Sequence, residues 1–210
     1  MYNNFMNKKI SDKIINRLTL YHCILEDYIL KNRETISSIQ IAKLLKIDDS
    51  QVRKDLNLLS NSGKNKVGYS VIDLKKSIEK NLGFTKSKKA IVIGAGNLGM
   101  ALANYDNFIY YGLHIAALFD TDNSKIGKTI NNKKILDIKE LPVYVWNEFP
   151  EVAILTVPAK SAQKTAEYIS KVGIKYIWNF TPVILDLPEN VQIKNENLMS
   201  NFLQFTYNLK

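Results

Sequence analysis

Three glycines in the stretch Gly94-Ala95-Gly96-Asn97-Leu98-Gly99 follow a short apolar run, Ala90-Ile91-Val92-Ile93, and precede the helix-forming residues Met100-Ala101-Leu102-Ala103-Asn104-Tyr105. Strand, glycine turn and helix in that order can receive a pyrophosphate. Gly94 permits the tight turn, Gly96 lets the backbone approach the phosphates, Gly99 lets the helix pack close to the strand, and the phosphates rest on the helix N-terminus. Such a spacing alone is a weak signal, because any glycine-rich turn can produce it. Its context adds a second apolar run, His114-Ile115-Ala116-Ala117-Leu118-Phe119, which ends in Asp120, 21 residues beyond Gly99. A carboxylate at that distance accepts hydrogen bonds from the adenosine ribose hydroxyls and repels a 2′-phosphate, so NAD(H) is expected rather than NADP(H).

These residues need a parallel sheet to hold them. Apolar runs over 152–157, stopping at Pro158, and over 176–180, stopping before Pro182, flank a helical pattern over about 161–172, the alternation of an α/β fold. Ligands bind at the C-terminal ends of such strands, which nominates Thr156, Val157, Pro158, Asn179, Phe180 and Thr181 as cofactor neighbours. A hydride-transfer enzyme would also need an acid or base beside the nicotinamide. The chain has two histidines, His22 in a helical stretch and His114 at a strand start, the wrong end for the cofactor. A dinucleotide site without catalytic equipment suggests a sensor and not an enzyme.

The net charge of +9 lies wholly in residues 1–89, where 18 Lys and Arg face 9 Asp and Glu; residues 90–210 hold 11 of each. A basic module beside a neutral one suits a DNA-binding domain joined to a ligand domain, although a solubilising lysine-rich surface has the same charge. The local pattern decides between them. From Ser11 to about residue 31, Ile14, Ile15, Leu18, Tyr21, Leu25, Tyr28 and Ile29 recur at helical spacing and predict a core-facing stripe. Ser37 or Ser38 opens a second helix carrying Ile39, Ile41, Ala42, Leu44 and Leu45, and a turn at 46–49 leads to a third over 50–59. This is a helix-turn-helix. Val52, Leu56 and Leu59 of the third helix must face inward, which leaves Ser50, Gln51, Arg53, Lys54 and Asn57 to read base edges and grip phosphates. Next, Gly63 to Val71 reads as a β-hairpin wing with Lys64 and Lys66 at its basic tip, and a helix carrying Ile72, Leu74, Ile78 and Leu82 closes the module near Gly83.

The last segment, 197–210, is expected to be a helix with too many large apolar residues for a free surface. It should pack on a second subunit or on its own domain. No apolar run nears the length of about 18 residues a membrane helix needs, and the start lacks the apolar core of a signal peptide, so a cytoplasmic protein is expected. Cys23 sits among Leu20, Ile24 and Leu25, where a buried thiol is the ordinary reading. The expected plan is a winged helix-turn-helix domain over 1–84, a Rossmann-type parallel α/β domain over 85–196, and a C-terminal dimerisation helix over 197–210.

Several blocks in this order resemble the Rex redox-sensing repressors: Ile15-Asn16-Arg17-Leu18, Ser50 to Leu56, Val67-Gly68-Tyr69, Gly94 to Tyr105, Phe119-Asp120-Thr121-Asp122 with Lys125-Ile126-Gly127, Leu155 to Pro158, and Asn179 to Val183. The resemblance implies a homodimer with a swapped C-terminal helix that binds palindromic operator DNA and is released from it by NADH, with NAD+ as a weaker competitor. It adds Arg17 and Tyr69 to the DNA-binding set, and Tyr105, Thr121, Asp122 and Lys125 to the cofactor set. Three positions depart from the family. Its wing usually reads Gly-Thr-Arg-Gly where this chain has Gly63-Lys64-Asn65-Lys66, and lysine is not equivalent to arginine in a narrow groove. An arginine common in the family's first helix is Cys23 here, and an aspartate near the last helix is Asn197, so an ion pair tied to the dimer's state has lost both ends. Two other readings are an NAD-dependent oxidoreductase and a regulator of the same fold answering another ligand.

Overall fold

A computed structural model describes residues 10–59, 68–207 and 209. The chain divides into two compact units, Met1–Thr85 and Lys86–Lys210.

The first unit opens with α1 (Asp12–Leu30), followed by β1 (Thr35–Ile36), α2 (Ser38–Leu45), α3 (Asp49–Leu58), β2 (Tyr69–Ser70) and α4 (Val71–Leu82). The caps explain the boundaries. Ser37 and Gln40 form a capping box at the start of α2, Lys46 ends that helix in the left-handed region at φ 55°, and Asp48 accepts the Ser50 N–H at 2.7 Å to start α3. The resulting helix-turn-helix packs its apolar faces with α1 and α4 into one core, with Leu18, Tyr21, Leu25, Ile41, Val52, Leu56, Leu74 and Ile78 essentially inaccessible. β1 and β2 pair antiparallel, Ile36 opposite Tyr69. The expected wing tip, with Lys64, Asn65 and Lys66, lies outside the described residues.

Some inward assignments are corrected. On α1 the buried row is Leu18, Tyr21, His22, Leu25 and Tyr28, while Ile15 and Ile29 are about two-fifths exposed. Cys23 points outward beside the half-exposed Leu20, because it falls on the flank of the stripe and not at its centre. His22 takes the inner place: its Nε2 lies 3.0 Å from Glu79 of α4 and its ring meets Phe84 edge-on. Ile39, Leu44 and Ile72 also face outward.

The second unit is built on a seven-stranded sheet. Its elements are β3 (Lys88–Ile93), α5 (Asn97–Asn104), a 3-10 turn (Asp106–Tyr111), β4 (Leu113–Asp120), β5 (Thr129–Ile130), β6 (Lys133–Asp137), α6 (Leu141–Glu148), β7 (Val152–Leu155), α7 (Ala159–Lys171), β8 (Tyr176–Asn179), β9 (Gln192–Asn195) and α8 (Leu198–Thr206). The strand order is β5-β6-β4-β3-β7-β8-β9, parallel except for β5. Ile91 and Ile93 of β3 point to a core shared with Leu141 of α6 and Ala162, Ala166 and Ile169 of α7; Ala90 and Val92 point to one shared with Ala103 of α5. A strand buried on both faces reads as a continuous apolar run, as this one does. β7 and β8 stop at Leu155 and Asn179, two and one residues short of the expected ends, so Thr156, Val157 and Phe180 belong to the loops above the sheet. The β5–β6 hairpin, α6 and β9 are additional to the expected elements. That hairpin turns on Asn131 and Asn132, both at positive φ, a conformation asparagine tolerates better than most residues. In α8 the side chains of Leu198, Met199, Phe202, Leu203 and Phe205 are 55 to 79% exposed, so packing on its own domain is not what covers them in the single chain.

Candidate cofactor crevice and DNA-facing helix

Sheet register assembles the crevice. Ile93 pairs with Phe119 on one side and Leu155 on the other, so the next residues, Gly94, Asp120 and Thr156, come side by side at the C-terminal edge. The chain departs from β3 toward β4 and later returns on its other side as β7, the switch point at which α/β sheets bind ligands. A cavity of about 490 Å³ opens there, within the range of small-molecule sites. Gly94, Gly96, Asp120, Thr121, Lys125, Thr156, Val157 and Pro158 all line it.

The glycines differ in what they do. Gly94 has φ 103°, and a Cβ on it would lie 2.9 Å from the Thr156 carbonyl oxygen. At Gly99 a Cβ would sit 2.0 Å from the Gly94 carbonyl and 2.8 Å from Thr156 Oγ1, which itself donates to that carbonyl at 2.8 Å. Above Gly96 a Cβ would meet nothing within 4 Å, so that side is open space over the start of α5, where a phosphate can approach the backbone.

Asp120 supplies the charge. Burial pushes its carboxyl pKa up, but hydrogen bonds from the Asp122 and Ala95 amides and the nearby Lys125 ammonium outweigh that, so it stays below the usual carboxylate range. Oδ2 accepts the Ala95 N–H at 2.7 Å; Oδ1 accepts Thr121 N–H at 2.7 Å and Asp122 N–H at 2.9 Å; Lys125 Nζ stands 3.4 Å away. Asp120 is therefore ionised at neutral pH and fixed toward the crevice. The residues present fit a dinucleotide with a free 2′-hydroxyl: a glycine cradle for the pyrophosphate and an anchored carboxylate for the ribose.

Other expected cofactor neighbours sit around the crevice and not on it. Ala95 is buried, Asn97 and Leu98 are exposed on the first turn of α5, and Asp122 is exposed, its side chain accepting the Ser124 N–H. Tyr105 is half-exposed and meets Phe108 edge-on, in a chain of rings that continues through Trp178 to Phe180. Asn179 is fully buried with its amide saturated: Oδ1 accepts from Thr181 N–H and Oγ1, while Nδ2 donates to the Val183 carbonyl and to Asn195 Oδ1. Ile138, Ser161 and Thr165, which no motif in the sequence marks, also line the cavity; Ser161 and Thr165 lie one helical turn apart on α7 just after Pro158.

In the first unit, Ser50, Arg53, Lys54 and Asn57 are all exposed and recur at i, i+3, i+4 and i+7 along α3, so they form one solvent-facing stripe. Arg53 pairs with Asp49 and its Nε lies 3.4 Å from Ser38 Oγ. Gln51 and Arg17 are turned onto the buried Asp55, and Tyr69 is half-buried against the core. Among the described residues there is no cluster of His, Cys, Asp and Glu able to hold a metal ion, and no helix long and apolar enough to cross a membrane.

Two family descriptions match the chain: "Putative DNA-binding protein N-terminus" over residues 9–57 and "CoA binding domain" over residues 85–183. The redox-sensing transcriptional repressor Rex of Treponema denticola is 45% identical over 90% of each chain, and that of Clostridium botulinum strain Alaska E43 is 37% identical over 97% of each. Among solved structures, the Rex-family repressor RSP in complex with β-NAD+ and operator DNA is 34% identical, with TM-score 0.88 over 95% of this chain and 92% of RSP. The same repressor in complex with β-NADH gives TM-score 0.86 at 33% identity, over 96% of this chain and 94% of RSP. With relatives this similar over nearly its whole length, the chain belongs to the Rex family of redox-sensing transcriptional repressors.

Proposed function

We propose that this chain is a cytoplasmic transcriptional repressor that binds palindromic operator DNA as a homodimer and leaves it when NADH occupies the crevice of the second unit. The observation that carries the cofactor half is the anchored, ionised Asp120 beside the open backbone of Gly96. A dinucleotide there would place its pyrophosphate on the Gly94–Gly99 turn and its adenosine ribose on Asp120; its contribution is a redox state to be sensed, and the chain is a regulator, not an enzyme. Gly94, Gly96 and Gly99 shape the cradle, Thr156 locks it through the Gly94 carbonyl, and Lys125 holds the Asp120 carboxylate in place. Thr121, Val157 and Pro158 close the walls, and Phe180 and Tyr105 stand further out.

The DNA half rests on Ser50, Arg53, Lys54 and Asn57 in the major groove, with Lys64 and Lys66 as further phosphate contacts expected from their charge. The exposed apolar side chains of α8 would be covered by a second subunit, which gives the two-fold symmetry a palindrome requires. Release follows from linkage: NADH must bind the non-DNA-binding arrangement more tightly than the DNA-binding one, and a difference of about 1–3 kcal/mol gives a change in operator affinity of roughly 5- to 150-fold. A neutral dihydronicotinamide is easier to desolvate than the cationic ring, which favours NADH over NAD+ as the effector.

A pair of substitutions tests the division of labour. Asp120→Ala is expected to weaken NADH binding about 10- to 100-fold, the value of one or two hydrogen bonds to a charged acceptor, and to leave operator affinity within about twofold. Arg53→Ala is expected to weaken operator binding about 5- to 100-fold at unchanged NADH affinity. Equal losses of both activities in either variant would contradict the assignment.

A further inference from the structure

Asp55 is 1% exposed, yet it collects four hydrogen bonds from three side chains on two helices. Arg17 of α1 clasps it with Nε to Oδ2 at 2.6 Å and Nη2 to Oδ1 at 2.8 Å; Tyr21 Oη, also on α1, donates to Oδ2 at 2.8 Å; Gln51 Nε2, on its own helix, donates to Oδ1 at 2.9 Å. Each carboxylate oxygen thus accepts two bonds and is full.

A buried ion pair is weak evidence for stability, because desolvating two charges offsets most of their attraction and an apolar pair of like volume does as well. What it supplies is direction. Apolar packing of Val52 and Leu56 does not by itself fix the roll of α3, since the hydrophobic effect is non-directional, whereas a two-pronged guanidinium–carboxylate contact admits one geometry. Base reading needs that fixity, because functional side chains must be held within about 0.5 Å of their working positions.

We infer that Asp55 is a positioning residue that sets α3 against α1 through Arg17 and Tyr21, and that it withdraws Gln51 and Arg17 from base reading, leaving sequence choice to Ser50, Arg53, Lys54 and Asn57. This rests on the operator-binding reading above.

The test uses the full-length protein, a palindromic operator selected by it from random duplexes, a panel of single-base-pair variants of that operator, and a non-specific duplex, all at one salt concentration. Gln51→Ala is expected to weaken every duplex of the panel by the same factor, roughly three- to tenfold, and to preserve the order of base preference; Asn57→Ala and Lys54→Ala are expected to change that order. Asp55→Asn is expected to lower the ratio of operator to non-specific affinity by about tenfold or more, with NADH affinity within about twofold of wild type. A role in stability alone would lower operator and non-specific binding together, and that result would overturn the positioning role. Relaxed preference at one base pair in Gln51→Ala would overturn the withdrawal of Gln51. If Asp55→Asn fails to fold, Arg17→Lys, which keeps the charge and loses the fork, is expected to show the same fall in ratio, and an unchanged ratio would overturn the proposal. A wild-type protein that selects no operator would instead refute the functional reading itself.

Discussion

Three backbone amides and the Lys125 ammonium already donate to the two Asp120 oxygens, so a ribose hydroxyl would take the place of the flexible Lys125 on Oδ2. Those bonds keep the carboxylate charged and aimed, so a 2′-phosphate entering the same space meets a fixed negative charge. NADPH is therefore expected to bind more weakly than NADH by about a hundredfold or more, on the scale of several kcal/mol for juxtaposed like charges, and Asp120→Ala is expected to narrow that gap. Calorimetric titration of both cofactors against both proteins measures it. Asn179 carries a different expectation. Its saturated amide has no capacity left for a cofactor, so Asn179→Ala should cost stability, about 1–3 kcal/mol for each buried partner left unpaired, before it costs affinity. Thermal unfolding of the variant, with and without NADH, separates the two effects.

At the scale of elements, the DNA-facing unit depends on caps and on one carboxylate. Burial pushes the Asp55 carboxyl up, but the bonds from Arg17, Tyr21 and Gln51 more than offset it, so its pKa lies below the ordinary value. A depressed folded pKa contributes stability that is present above the unfolded value of about 4 and is lost as pH falls through the folded one. The first unit is thus expected to lose stability on acidification below about pH 4, and Asp55→Asn should flatten that part of the profile, read by circular dichroism of the folded variant. Much of this unit was legible. Val52, Leu56 and Leu59 announced the inner face of α3, and Ser37 or Ser38 was expected to open α2, which the structure caps with Ser37. What the pattern could not give was the edge of each stripe: Cys23, Ile15 and Ile29 lie at its borders, where rotation of the helix by a fraction of a turn decides burial. Nor could spacing show that Gln51 is held by Asp55, because i, i+4 partners on a helix are equally free to face solvent. In the second unit the ends of β3 at Ile93 and of β4 at Asp120 followed from apolar runs meeting turn residues, whereas β7 ended two residues before the expected Val157. Ser161, Thr165 and Ile138 were hidden because a helix N-terminus and a 3-10 turn brought over the crevice carry no signature of their own.

For the whole molecule, the proposed dimer rests on α8. Five large apolar side chains more than half exposed on one nine-residue helix form a surface that association would remove from water. The double variant Phe202→Glu with Leu203→Glu is expected to sediment as a monomer and to lose about tenfold or more in affinity for a palindromic operator, because each half-site is then bound alone. The wing departure adds a second expectation. Residues 63–66 carry two lysines and no arginine; under the proposed operator-binding role, Asn65→Arg should raise operator affinity by about 1–3 kcal/mol, the worth of one guanidinium seated in a groove, without altering NADH affinity. Parallel operator and NADH titrations of that variant check both halves of the expectation.

The most direct test of the central claim is an operator-shift titration of the wild-type protein at fixed salt, with NADH added in one series and NAD+ in another. NADH is expected to release the DNA, and equal concentrations of NAD+ to leave it bound. DNA that stays bound at every NADH concentration would contradict it, and would mean that the crevice answers a different ligand.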